Sequence, residues 1–123
     1  MQPALSLSWQ EIEEYVDGIK QHARTLPSAV SGVYGVPRGG IIPAVLLAHR
    51  LEKPLLAAPS PQCIIIDDIA DTGKTLEQFG RYHCSPALIT ALVHRKSCTF
   101  ASPLYFTPHS IDTDAWVIFP WER

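Results

Sequence analysis

Apolar residues return at three- and four-residue steps from Trp9 to Leu26, placing Trp9, Ile12, Val16, Ile19, Ala23 and Leu26 on one face of a helix. Ser8 and Glu11 form a capping box at its start, and Pro27 stops it. The period then changes. "VSGVYGV" (30–36) reads as a strand that runs into the breaker "PRGG" (37–40). "IIPAVLLAHRL" (41–51) is a second helix, with Pro43 tolerated in its first turn. Two short apolar strands follow, "PLLAA" (54–58) and "CIII" (63–66). "GKTLEQFGRYH" (73–83) predicts a third helix, "ALITALV" (87–93) another buried strand, and "DAWVIFPW" (114–121) a last strand with an aromatic finish.

Continuous apolar strands alternating with helices predict an α/β fold: a parallel twisted sheet with helices on both faces and right-handed crossovers. The chain shows no repeat, low-complexity stretch or linker, so residues 1–123 are expected to form a single domain. Hydrophobic residues at 46% and charged residues at 18% give a globular balance. A formal net charge of −2 supplies no electrostatic reason for a nucleic-acid or membrane partner. Cys63, Cys84 and Cys98 are odd in number and contain no C-x-x-C pair, which argues against a disulfide framework or a zinc site. The start, "MQPALSLSWQEIEEYV", lacks the basic and apolar regions of a signal peptide, and no uncharged apolar run reaches spanning length. A cytoplasmic protein is expected.

Ligands of such sheets bind beyond the carboxyl ends of the strands. Three loops there are unusual: "PRGG" (37–40), "DDIADTGKT" (67–75) and "HRKSC" (94–98). In the second, Thr72, Gly73, Lys74 and Thr75 open a helix whose free N–H groups and dipole favour an anion such as phosphate. Asp67 and Asp68 accept hydrogen bonds when ionised and suit a ligand with hydroxyl donors, such as a ribose diol. It is not a Walker A loop, because Asp68 stands where the first glycine is needed. An N-cap at Asp71 or Thr72 beside surface carboxylates is the simpler reading of "DTGKT" alone; two further acids directly after an apolar strand weigh against it.

"CIIIDDIADTGKTL" (63–76) resembles the phosphoribosyl-pyrophosphate (PRPP) motif of the type I phosphoribosyltransferases: four apolar residues, two acids, two spacers, then Asp-Thr-Gly-x-Thr. "GVPRGGIIPA" (35–44) is similar to the pyrophosphate loop of the purine branch of that family, and "DAWVIFPWE" (114–122) to its base-reading end. "SWQEIEEYV" also resembles the first helix of the xanthine branch, so the likeness covers nearly the whole chain. The resemblance implies a phosphoribosyltransferase-like domain that moves the ribose 5-phosphate of PRPP onto a 6-oxopurine. It implies Mg²⁺ at Asp67 and Asp68, which would also hold the ribose diol. Residues Asp71, Thr72, Gly73, Lys74 and Thr75 would hold the 5′-phosphate, and Pro37, Arg38, Gly39 and Gly40 the pyrophosphate. Asp71 is the implied general base and Arg38 the cation at the leaving group; Trp116 would stack on the base and the backbone of Val117 read its edge. Phe119 reads as core. A homodimer is implied as well.

The chain departs from the family pattern twice. His94 falls where these enzymes carry a lysine against the exocyclic oxygen, with Arg95 and Lys96 following; Lys96 could serve by a shift of register, and a solvated basic strand end is the plain alternative. The long flexible lid between the second and third strands is missing, since "PLLAAPSPQCIII" leaves only Pro59 to Gln62. Two other functions remain open from sequence: a non-catalytic PRPP- or nucleotide-binding regulator, and an enzyme for a non-purine acceptor in which "DAWVIFPWE" is only core.

Overall fold

A computed structural model describes residues 4–82 and 85–122 of the protein. His83, the expected last residue of the third helix, and Cys84 lie outside the described residues. The first helix, α1 (Trp9–Ala23), opens on the expected capping box: Ser8 Oγ accepts from the Glu11 N–H at 3.1 Å, and Glu11 Oε1 accepts from the Ser8 N–H at 3.0 Å. It buries Ile12, Val16, Ile19 and Ala23. It ends three residues short of Leu26 because the chain closes there in tighter turns, Thr25 N–H bonding His22 O and Leu26 N–H bonding Ala23 O.

Strand β2 (Val33–Gly35) leads into helix α2 (Ile41–Leu51), with Pro43 buried in its first turn. Strand β3 (Ile64–Ala70) is followed by helix α3 (Lys74–Tyr82), and β4 (Leu88–Arg95) by the short strands β5 (Tyr105–Phe106) and β6 (Ser110–Ile111). All pairings are parallel: β2 lies on β3, β3 on β4, and β5 and β6 follow one another along the far side of β4. Ile12, Ile19, Ala44, Leu47, Ile64, Ile66 and Leu92 join α1 and α2 to one face of the sheet. On the opposite face Leu76 of α3 packs with Ala70, Ile89 and Ala91, and Phe79 packs against Val36 and Ile65. The expected two-faced parallel sheet is present. Burying each of these Ile and Leu side chains is worth about 1.5–3 kcal/mol, so the apolar runs of the strands dictate the layering.

Three elements differ from expectation. Only Leu55 of the segment 54–58 bridges Val33, held by the Val33 N–H on Pro54 O and the Leu56 N–H on Val33 O, and the chain bends away at Ala57. Strand β3 runs four residues past 63–66, because β4 continues alongside it and pairs Ala91 with Asp67 and Val93 with Ile69. The last strand is shorter than 114–121 and stands outside the main sheet. It is β7 (Trp116–Ile118), paired in parallel with the N-terminal strand β1 (Ala4–Ser6), and Pro120 then turns the chain into a short 3₁₀ helix, Pro120–Glu122.

Candidate functional site

Inside β3, toward its carboxyl tip, two successive carboxylates are both half-buried. Asp67 Oδ1 accepts from the Asp68 N–H at 2.8 Å, and Asp68 Oδ1 accepts from the Ile69 N–H at 2.7 Å. Burial pushes the Asp67 carboxyl up to about 8, helped by the hydrogen-bonded and negatively charged Asp68 side chain, while the backbone bond from Asp68 pulls the other way. Ionising both acids in so little water is unfavourable. A hard cation or a hydroxyl-rich ligand relieves that conflict.

The loop after β2 folds back over the same tip. The Val36 N–H bonds Ile66 O at 2.9 Å, the peptide bond between Pro37 and Arg38 is cis, and the Gly40 N–H bonds Val36 O at 2.8 Å. Gly39 leaves room for the Asp68 carboxylate: a Cβ on it would fall 2.1 Å from Asp68 Oδ2, so a larger residue would have to displace that side chain. Arg38, Gly39, Ile42 and Asp68 line a cleft of about 570 Å³ together with Trp121 and Glu122. Arg38 is exposed, so its guanidinium can meet an anion in that cleft.

Beyond Asp71 the chain enters α3. Gly73 has φ +90, and a Cβ there would meet Phe100 Cβ at 2.6 Å, so glycine is required for the turn and for its packing. Thr72 Oγ1 accepts from the Lys74 N–H at 3.3 Å, and Gly73 O accepts from the Glu77 N–H. The cap position is thus Gly73, and Thr72 makes only a local turn ahead of it, so neither Asp71 nor Thr72 is the expected N-cap. Asp71, Thr72, Lys74 and Thr75 remain exposed around this helix start. A hollow of about 320 Å³ lies beside it, bounded by Thr72, Gly73, Thr99 and Phe100.

The basic strand end separates into three environments. His94 Nδ1 meets Tyr105 Oη at 2.7 Å and stays half-buried. Lys96 makes a solvent-exposed pair with Asp112 at 3.8 Å. Arg95 alone reaches Asp71, its Nε donating to Asp71 Oδ1 at 2.8 Å, while Nη1 donates to Thr113 O and Nη2 to Ala115 O at 3.1 Å.

Residues 113–115 lead into β7. Trp116 is 66% exposed, whereas Val117 and Phe119 are buried, as expected for a core Phe119. Trp121 stacks on Phe119 at a centroid distance of 5.0 Å and lines the Arg38 cleft. Trp121 and Ile42 are lining residues that the sequence did not single out. The signal for Trp121 was present in "PWE", but only the turn at Pro120 directs it to the cleft.

The segment expected to lack a lid is pinned at the opposite end of the strands. The Ser31 N–H bonds Gln62 O, the Gln62 N–H bonds Ser85 O, and Ser28 Oγ donates to Gln62 Oε1 at 2.7 Å. A hollow of about 420 Å³ lined by Leu26, Pro27, Arg50 and Lys53 is also remote from the loops at the strand tips.

A parallel sheet with helices on both faces, two acids in the outer half of β3 and a helix start beyond them defines a type I phosphoribosyltransferase fold. No family model matches the chain. In sequence it is 29% identical to the xanthine-guanine phosphoribosyltransferase of Cereibacter sphaeroides, over 73% of this chain and 68% of that protein. In structure it is similar to the xanthine-guanine-hypoxanthine phosphoribosyltransferase of Helicobacter pylori, with a TM-score of 0.76, 15% identity and coverage of 99% of this chain and 94% of that one. A hypothetical protein from Neisseria gonorrhoeae with bound ppGpp superposes with a TM-score of 0.78 at 15% identity, covering 100% and 91% of the two chains. The resemblance read from the sequence is borne out by relatives in both sequence and fold. No described helix is long and apolar enough to cross a membrane.

Proposed function

We propose that the protein transfers the ribose 5-phosphate of PRPP to a 6-oxopurine (xanthine, guanine or hypoxanthine), releasing pyrophosphate. The observation that carries this reading is the meeting of Asp68 with Gly39: the acid that would hold the ribose and the loop that would hold the pyrophosphate share one cleft. In this reading Asp67 and Asp68 bind the ribose diol, and the start of α3 with Thr72, Lys74 and Thr75 binds the 5′-phosphate. Arg38 and the Gly39 and Gly40 backbone stabilise the departing pyrophosphate as C1 becomes oxocarbenium-like. Asp71 accepts the proton of the purine imidazole, and the base lies between Trp116 and the Val117 backbone. Positioning and charge stabilisation suffice; no covalent nucleophile is needed.

The donor set at Asp67 and Asp68 fits Mg²⁺, a hard cation that favours carboxylate oxygens and keeps several waters. Among the described residues no group of three or more His, Cys, Asp or Glu is placed to hold a metal ion. When bound, it would neutralise charge on the leaving pyrophosphate. The family resemblance supports a homodimer, which light scattering tests directly.

The test is incubation with Mg²⁺, PRPP and a panel of purine and non-purine bases, with products separated by chromatography. A purine nucleotide and pyrophosphate in equal amounts are expected. A second reading, a nucleotide-binding regulator, draws support from the ppGpp-bound neighbour of the same fold. Tight nucleotide binding with no product from any base would favour it.

A further inference from the structure

Arg95 is a nearly buried arginine whose three donor nitrogens all have partners on other segments. Its side chain is 12% exposed, against 61% for the Asp71 side chain it holds. A solvated basic strand end would leave such a group in water and free to rotate. Instead the guanidinium fork spans the two neighbours of β4. On one side lies the β3–α3 loop through Asp71, on the other the turn before β7 through the carbonyls of Thr113 and Ala115. That turn is itself closed by the Ala115 N–H on Thr113 Oγ1 at 3.1 Å. Only a planar guanidinium offers donors in the geometry to satisfy a carboxylate and two carbonyls at once; an ammonium is a single point.

We propose that Arg95 is a positioning residue that sets the proton acceptor and the base reader in one register. It fixes Asp71 Oδ1 and leaves Oδ2 to face the substrate. It also fixes the backbone immediately before Trp116 and Val117. The inference rests on the transferase reading above and adds to it: the reader of the base and the acid that takes its proton are tied through a residue that touches neither base nor PRPP. His94 and Lys96, its neighbours, have separate partners in Tyr105 and Asp112 and make no such link.

The experiment compares the wild type with Arg95→Gln, Arg95→Lys, Asp71→Asn and the double variant Arg95→Gln/Asp71→Asn. Steady-state rates are measured with Mg²⁺, PRPP and the best purine, PRPP affinity by calorimetry, and amide exchange over 70–74 and 112–118. Arg95→Gln should lower kcat at least tenfold and raise the KM for the base at least fivefold, with PRPP affinity within twofold of wild type. Arg95→Lys should recover part of kcat, since an ammonium can still pair with Asp71, but not the base KM. The double variant should be about as slow as the worse single one, because both act through Asp71. Arg95→Gln with kcat and base KM within twofold of wild type, or losses that simply multiply in the double variant, overturns the proposal. If Arg95→Gln does not fold, the split between kcat and base KM in Arg95→Lys decides. If the wild type itself makes no nucleotide, the transferase reading has failed and exchange decides the clamp. Faster exchange in both segments of Arg95→Gln at an unchanged unfolding midpoint sustains it; unchanged exchange overturns it.

Discussion

Gly39 and Asp68 sit so close that a Cβ on the glycine would lie 2.1 Å from Asp68 Oδ2. The loop after β2 and the neighbouring strand β3 are thereby locked into one surface. Gly39→Ala should push the Asp68 carboxylate away from its place, because the far end of a side chain moves before the backbone does. With a charged hydrogen bond worth about 1.5–3 kcal/mol, PRPP affinity should fall at least tenfold. The unfolding midpoint should change far less. Unaltered PRPP binding in calorimetry would separate the Arg38 loop from the ribose site.

Asp67 gives the fold a pH signature. Its carboxyl is raised from 3.8 to about 8, so the native state holds the proton more tightly than the unfolded chain. The corresponding stability is fully present below about pH 4 and is lost as pH rises toward 8. Asp67→Asn cannot lose that proton. Denaturant melts of the variant should therefore gain on wild type progressively from pH 4 to pH 8 and run parallel above it. In the same variant PRPP affinity should fall most above about pH 8, where the wild-type carboxylate is ionised and the amide cannot replace its charge. A constant stability difference across that range would show that Asp67 is not perturbed.

Trp116 is too exposed to be core. Trp116→Ala should keep the unfolding free energy within about 0.5 kcal/mol of wild type, as for surface sites. Its KM for the purine should rise while PRPP affinity is kept. Phe119→Ala, by contrast, empties a buried site and should cost about 3–5 kcal/mol. If Trp116→Ala leaves the base KM unchanged, Trp121 in the Arg38 cleft is the aromatic to substitute next.

The connection before β3 is short and pinned far from the strand tips, so the described residues offer no cover there for an oxocarbenium-like centre. Water should compete with the base, and Mg²⁺ and Arg38 should act in a higher effective dielectric. Transfer should be slow and accompanied by PRPP hydrolysis when no base is present. Ribose 5-phosphate and nucleotide release, followed side by side, check this. Fast transfer with no hydrolysis would mean that a partner subunit or another segment closes the site.

By itself the sequence determined the layers and the chemistry of the tips. Apolar runs at 30–36, 63–66 and 87–93 had to be buried on both sides, the Ser8–Glu11 pair capped α1, and the residues from Thr72 to Thr75 had to open a helix; Asp67 and Asp68, expected beyond the strand end, lie inside β3. These are local signals: side-chain period, capping and turn residues act over a few positions. Tertiary structure decided what distance along the chain conceals. The length of β3 depended on the partner offered by β4, and the segment 54–58 bends away at Ala57 after a single bridge to Val33. The C-terminal strand joined β1 rather than the main sheet, and Trp121 came to line the cleft once Pro120 had turned the chain. Among His94, Arg95 and Lys96 the sequence could not choose. Arg95 reaches Asp71 because the parallel pairing of β4 with β3 and β6 sets it between two segments that are 24 and 18 to 20 residues away in sequence. Long-range pairing follows from the packing of whole elements, and no local pattern encodes it.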